Sequence, residues 1–321
     1  MVALPFFWQT SFTAHFCRKE DVRLHLTLLS IALLVLLSGV EQCFADKRVD
    51  CLVKMFGIEV VVRPPVQALN HLEQLWKRPM TARKRSALEK TWAQIDEDLP
   101  EINYPKVLSL PKTDESRRAV ESVMKKIDKT RRGLSNTIRG RGDDSKIARR
   151  NFAEAEAQVH RWSRSKITVK RIMKLNEILG RDLDNNYDEP GEYRGLEVEH
   201  EEEATYLPRK MISRAMDDLL RWYQKNDGKL HPIELAAQIY QRMVSIHPFP
   251  DANGRTARFA MDWVLESHGY PPASFQGEFF VGTFPNIRDK DNPVPGLAEE
   301  RVTDGVLWSL DHMKSALLQS K

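Results

Sequence analysis

With 321 residues, 41% of them hydrophobic and 29% charged, the chain has the composition of an ordinary globular protein. That excludes disordered, collagenous and multi-span membrane classes and leaves room for one large or two small domains. Its 49 lysines and arginines against 45 aspartates and glutamates give a formal charge of +4, too little over this length to indicate a nucleic-acid partner. The three cysteines, Cys17, Cys43 and Cys51, are confined to the N-terminal stretch, so neither a disulfide framework nor a zinc spacing can hold the body together.

The first element is the uncharged segment Leu26–Val40 (LTLLSIALLVLLSGV), preceded by Arg18, Lys19 and Arg23 and followed by Glu41. A basic flank before a short apolar stretch is the pattern of a signal peptide, with cleavage expected after Ala45. Residues 24–44 are alternatively a short membrane anchor, since a spanning helix takes ~20 apolar residues. The chain is therefore expected to be secreted or membrane-anchored, and to touch a membrane only through this segment. Residues 46–111 carry no decisive pattern beyond an apolar strand candidate at Ile58–Val62, ended by Pro64 and Pro65.

After Pro111 the apolar residues recur at helical steps. Val120, Val123, Met124 and Ile127 predict a helix over Asp114–Arg132 with Thr113 as its cap, and further helices are expected at Ala148–Trp162, Val169–Leu179 (capped by Thr168) and Arg209–Tyr223. Another begins at Pro232, which suits a first helical turn. Between Tyr193 and Tyr206 the period fails and a short hairpin is expected. The fold class is mainly α, with residues 1–45 as leader or anchor, 46–111 as a region without assigned role, and 112–321 as the main domain.

The chemistry concentrates in Ile246–Arg258, IHPFPDANGRTAR, between two helical patterns. A tight loop that feeds a helix N-terminus presents free backbone N–H groups, here at Ala252, Asn253 and Gly254, and the positive end of the helix dipole attracts an anion to them. Arg255 and Arg258 lie three apart on that helix, so both guanidiniums can address one polyphosphate. Asp251 supplies a carboxylate for a Mg²⁺ bridging phosphate oxygens, and His247 an imidazole that titrates near neutrality and can take a proton from an attacking hydroxyl. Base, metal ligand, anion hole and phosphate clamp within twelve residues describe nucleotidyl or phosphoryl transfer.

This stretch resembles the signature of the Fic (Fido) family, HxFx(D/E)GNGRxxR, matched at His247, Phe249, Asp251, Asn253, Gly254, Arg255 and Arg258. HPIELAAQIYQRMVSI (His231–Ile246) and WVLESHGYPP (Trp263–Pro272) resemble the family's flanking helices, and PGEYR (Pro190–Arg194) the strand opening its flap hairpin. The resemblance implies a helical Fic-type core with a small β-hairpin flap, and AMP transfer from ATP, with Mg²⁺, to a Ser, Thr or Tyr hydroxyl of a target protein. His247 would be the base, Phe249 the loop's anchor in the core and Asp251 the metal ligand. Asn253 and Gly254, with Ala252 beside them, would line the anion hole, and Arg255 and Arg258 would hold the outer phosphates. The flap, Val198–Tyr206, would dock the target as an added strand. The sequence leaves a homodimer open, as it does a nucleotide-binding module without transfer or another donor.

Two departures stand out. Ala252 replaces the family's commonest glycine, as it also does in the phosphorylating Doc branch, but Gly254 and Arg258 favour AMP over phosphate transfer. The exchange is expected to cost little as long as the backbone at Ala252 is not left-handed. Ser135–Arg141 (SNTIRGR) resembles the family's inhibitory motif (S/T)xxxE(G/N) with Arg139 where the glutamate belongs. A cation there would repel Arg258 rather than clamp it, so glutamate autoinhibition is expected to be absent.

Overall fold

The computed structural model describes residues 65–137, 145–183, 189–195, 207–274 and 294–319. Among them are the helices α1 (Pro65–Trp76), α2 (Ala82–Ile102), α3 (Tyr104–Ser109), α4 (Glu115–Thr137), α5 (Ser145–Trp162), α6 (Val169–Gly180), α7 (Ile212–Asn226), α8 (Pro232–Ile246), α9 (Asn253–Ser267) and α10 (Leu297–Gln319). A 3₁₀ turn, Arg209–Met211, leads into α7, and no strand occurs among the described residues.

The arrangement follows from α8. A helix with apolar or small residues on every face has to be surrounded, and in α8 every residue but Pro232 and Gln238 is buried. Around it pack α9, α7, α10 and α1, while α5 and α6 cover the other side of α9 and α10 also leans on α2 and α4. Trp263, Tyr240 and Phe249 are among the largest fully enclosed side chains, so the core lies directly beneath the 247–252 loop.

The helices expected from periodicity are present. Val120, Val123, Met124 and Ile127 are buried, and Thr168 caps α6 by accepting from the Arg171 N–H at 3.3 Å. The cap of α4 is Asp114 rather than Thr113: its carboxylate accepts from the N–H groups of Ser116 (2.9 Å) and Arg117 (3.2 Å), and a full negative charge answers the positive helix end better than a hydroxyl. Gly269 ends α9 with φ +85°, as expected of a residue just past a helix.

Part of the stretch to which the sequence assigns no role, residues 65–109, forms α1–α3 and belongs to the same compact unit as the remaining helices. Its ties are specific. Trp76 Nε1 donates to Ser245 Oγ at 3.3 Å, and Trp92 Nε1 to Thr303 Oγ1 at 2.8 Å. The Arg85 guanidinium donates twice to the nearly buried Glu234 carboxylate, at 2.8 and 2.6 Å. Arg242 of α8 lies 3.9 Å from the Trp222 ring and 4.9 Å from that of Trp76, and burial lowers its pKa to about 9, which leaves it cationic at neutral pH.

The segment 24–44, the strand candidate Ile58–Val62, Arg139 and the hairpin Val198–Tyr206 lie outside the described residues. Among the described ones, no helix is long and apolar enough to cross a membrane.

His231, the cap of α8, gives a pH prediction. Its Nδ1 accepts from the Ile233 N–H at 3.3 Å, its ring stacks on Trp92 at 4.6 Å and its Nε2 faces Asp96 at 3.4 Å. Burial lowers its pKa below 6.5, and the nearby carboxylates of Asp96 and Glu234 only partly oppose this. The unfolded chain therefore takes up the proton first, so this contribution to stability is present above the ordinary value of 6.5 and is lost as pH falls through it. The denaturation midpoint should drop between pH 7.5 and 5.5, and more steeply in the wild type than in His231→Asn, which keeps a capping oxygen and cannot titrate. Parallel slopes would remove His231 from the account.

Candidate active site

Helix α8 ends at His247, whose backbone is left-handed (φ 51°, ψ 60°), and α9 starts after Ala252, also left-handed (φ 61°, ψ 15°). Two reversals of backbone twist five residues apart make the tight loop that the sequence calls for. Phe249 is fully buried between them, with the Tyr193 ring centred 6.0 Å away.

The Asn253 side chain closes the loop on itself. Its Oδ1 accepts from the Phe249 N–H at 2.9 Å and its Nδ2 donates to the Phe249 carbonyl at 2.7 Å. What Asn253 can offer an anion is thus its backbone. The first intrahelical bond of α9 is made by the Thr256 N–H to the Ala252 carbonyl at 2.8 Å, so the N–H groups of Asn253, Gly254 and Arg255 precede the ladder and sit at the positive end of a fifteen-residue helix.

Arg255 Nη2 and Asp251 Oδ2 are 3.3 Å apart, with side chains 12% and 20% exposed. Burial lowers the Arg255 pKa to about 10, so it remains a cation at neutral pH, half-buried beside the helix end; Arg258 is buried. The site also suits Mg²⁺. Asp251 is a single partly open carboxylate. Mg²⁺ binds in just this way, through one or two carboxylates with phosphate oxygens and waters completing its shell.

The condition attached to Ala252 fails: its backbone is left-handed, a region that costs an L-residue with a Cβ ~1–2 kcal/mol. Glycine would relieve the strain but loses a buried methyl (~0.8 kcal/mol) and gains freedom when unfolded (~0.4–1 kcal/mol). Ala252→Gly should therefore leave stability within about 0.5 kcal/mol, whereas Ala257→Gly, at a buried helical position of α9, should cost ~2 kcal/mol. Equal losses in urea denaturation would show that the backbone at Ala252 stores no strain.

Two residues that the sequence does not assign to the site hold it in place. Arg194 is buried; its Nε donates to the His247 carbonyl at 2.8 Å, its backbone N–H to the Pro248 carbonyl at 3.0 Å, and its guanidinium also reaches the Leu207 carbonyl. Asn176 of α6 is buried as well, donating to the Asp251 carbonyl (2.8 Å) and to Thr256 Oγ1 (3.1 Å) while accepting from the Gly191 N–H (2.9 Å). The one legible signal for it is an amide on the buried stripe that contains Ile172, Leu175 and Leu179. Gly191, at φ +90°, packs so closely on α6 that a Cβ there would lie 2.8 Å from that of Glu177.

Helix, left-handed histidine, anchored phenylalanine and helix N-terminus all fall within or beside residues 166–265, which match the family model described as Fic/DOC family. That stretch is similar to a Fic domain. The chain is 35% identical over 167 residues (48% of this chain, 31% of the relative) to the "Uridine 5'-monophosphate transferase" of Xanthomonas campestris pv. campestris (strain 8004). It is 39% identical over 85 residues (26% and 20%) to the "Protein adenylyltransferase Fic" of Nematostella vectensis. The curated relatives are thus matched over a third of their length or less. Among solved structures, IbpAFic2 covalently tethered to Cdc42 superposes with a TM-score of 0.52 at 18% identity, covering 85% of this chain and 82% of that one. Fic-1 (residues 134–508) from C. elegans superposes at 0.51 and 18%, covering 74% and 72%. At such identities the likeness is one of fold. Of the helices outside the match, α1, α5 and α10 pack directly on the matched helices, α2 reaches α8 through the Arg85–Glu234 pair, and α3 and α4 complete the same compact unit.

Proposed function

We propose that this protein is a Mg²⁺-dependent nucleotidyltransferase that moves AMP from ATP to a hydroxyl side chain of a target protein. The observation that carries the proposal is the juxtaposition, on one short loop, of a half-buried imidazole at the end of α8 with an unladdered helix N-terminus and the Asp251–Arg255 pair at the start of α9.

In this reading an imidazole nitrogen of His247 takes the hydroxyl proton as the target oxygen bonds to the α-phosphorus. The bond from that phosphorus to the α–β bridging oxygen breaks, and pyrophosphate leaves. The N–H groups of Asn253, Gly254 and Arg255 receive phosphate oxygens without reorganising, since Asn253 already fixes the loop. Arg255, and Arg258 one turn further on, hold the leaving phosphates. Asp251 would hold Mg²⁺, which when bound offsets charge on the phosphates. Binding exchanges the Asp251–Arg255 contact for ligand contacts on both sides, so neither charge is stranded.

A second donor is favoured by one observation: the relative matched over 167 residues is named a uridine 5'-monophosphate transferase. No residue of the loop described above addresses a base, so UMP transfer from UTP would use the same chemistry. The chain's N-terminal segment 24–44 is proposed to export or anchor it.

The test is label transfer by residues 46–321 from α-labelled ATP and α-labelled UTP, with γ-labelled ATP in parallel, in a lysate containing Mg²⁺. AMP transfer predicts protein label from α-labelled ATP and none from the γ-position. Label from UTP alone would replace ATP as the donor, and γ-label alone would make the enzyme a kinase. No label from any nucleotide that binds would leave a binding module.

A further inference from the structure

Two buried residues from other segments, Asn176 and Arg194, hydrogen-bond the loop that carries His247. Asn176 reaches three separate segments with one amide: the loop through the Asp251 carbonyl, the first turn of α9 through Thr256 Oγ1, and the 189–195 segment through the Gly191 N–H. Arg194 reaches the loop from that same segment at His247 and Pro248. The Asp251 carbonyl is adjacent to the Ala252 peptide, where the backbone takes its left-handed turn. Thr256 Oγ1 in turn donates to the Ala252 carbonyl at 2.9 Å, so the amide of Asn176 grips both sides of that turn.

We infer that Asn176 is a positioning residue: it holds the Asp251–Ala252 turn, and with it the separation between the imidazole of His247 and the N-terminus of α9, in the geometry transfer needs. An amide suits the place because both its ends are used. A carboxylate would lose the two donors, and an apolar side chain would leave the Asp251 carbonyl and the Gly191 N–H without their partner. Arg194 would still hold the loop at His247 and Pro248, but the Asp251–Ala252 turn, no longer gripped from α6, would sample other arrangements, and a misplacement of ~1 Å at a reacting centre lowers rate ~10²-fold. Nucleotide affinity, which rests largely on phosphate contacts at the helix end, would change less.

The inference rests on the transferase reading for its kinetic arm alone. The experiment compares wild type, Asn176→Ala, Asn176→Asp and Leu175→Ala; Leu175 is a fully buried neighbour on the same helix, and its truncation weakens the core while keeping the Asn176 amide. Each is measured for melting temperature, for kcat and KM toward ATP, and for hydrogen exchange at the amides of Phe249, Thr256 and Arg194. All three amides are hydrogen-bonded, and none is bonded to Asn176. Both Asn176 variants should lose at least tenfold in kcat with KM changed less than about threefold, and exchange at the three amides should rise tenfold or more while the interior of α8 stays protected. Leu175→Ala should lower the melting temperature with neither local effect. Exchange unchanged in Asn176→Ala, or raised as much in Leu175→Ala, would overturn the inference. If the wild type transfers no nucleotide the transferase reading fails, and the exchange comparison still decides whether Asn176 positions the loop.

Discussion

Replacing His247 with alanine should lower the rate of AMP transfer by ~10²–10⁴ while KM for ATP moves within about threefold. The reason lies in how this histidine is built into the chain. Its backbone is spent on structure: the N–H closes α8 on Met243 at 3.0 Å, the carbonyl accepts from Arg194, and the φ of 51° turns the chain into the loop. In the proposed reaction the imidazole carries the chemistry. A left-handed backbone is tolerated somewhat better by histidine and asparagine than by alanine, so alanine removes a base and strains a turn together. His247→Asn separates the two effects. Single-turnover label transfer by both variants should show equal, large losses. If alanine is crippled and asparagine nearly active, His247 matters as a turn residue and the proton goes elsewhere.

The second large effect is on stability. Phe249→Ala should cost ~3–5 kcal/mol, the usual range for truncating an enclosed aromatic whose surroundings cannot collapse. Phe249 is fully buried under a loop held at both ends by left-handed residues and across its middle by Asn253, so the backbone cannot sink to fill the void. Near the melting point ~1 kcal/mol corresponds to ~2–4 °C for a domain of 150–250 residues, which puts the expected fall at about 6–20 °C. Phe249→Leu should recover about half. A loss under about 1 kcal/mol by calorimetry would mean that the loop is free to settle and is not anchored by this ring.

The helices that carry the site were readable because their physics is local. Apolar spacing gives α4 through α9, the proline at the start of α8 and the glycine after α9 mark ends, and the HPFPDANGR stretch announces a loop before a helix. Helices α1–α3 were not readable, since what fixes them is long-range: Trp76 meets Ser245, Arg85 meets Glu234 and Trp92 meets Thr303, pairings separated by more than a hundred residues. Within the site, residue types indicated an imidazole, a carboxylate and two arginines around one loop, and the structure brings them to that loop and the first turns of α9. Their division of labour was only partly legible. The Asn253 side chain turns inward to tie the loop, and the donors for an anion are backbone groups shifted by one residue toward Arg255. Asn176 and Arg194 act across 53 to 80 positions of sequence, beyond the reach of any periodicity.

The ties from α1 and α2 to α8 and α10 bear on how such a motif can be inherited. The matched stretch, residues 166–265, ends before α10 and begins after α1–α4. Lifted out, it would lose the Trp76 partner of Ser245, the Arg85 partner of Glu234 and the Trp76 indole that lies against the Arg242 guanidinium. The motif is therefore not a portable cassette: a recombination event that moved it alone would carry the letters of the active site without the walls that keep α8 dry.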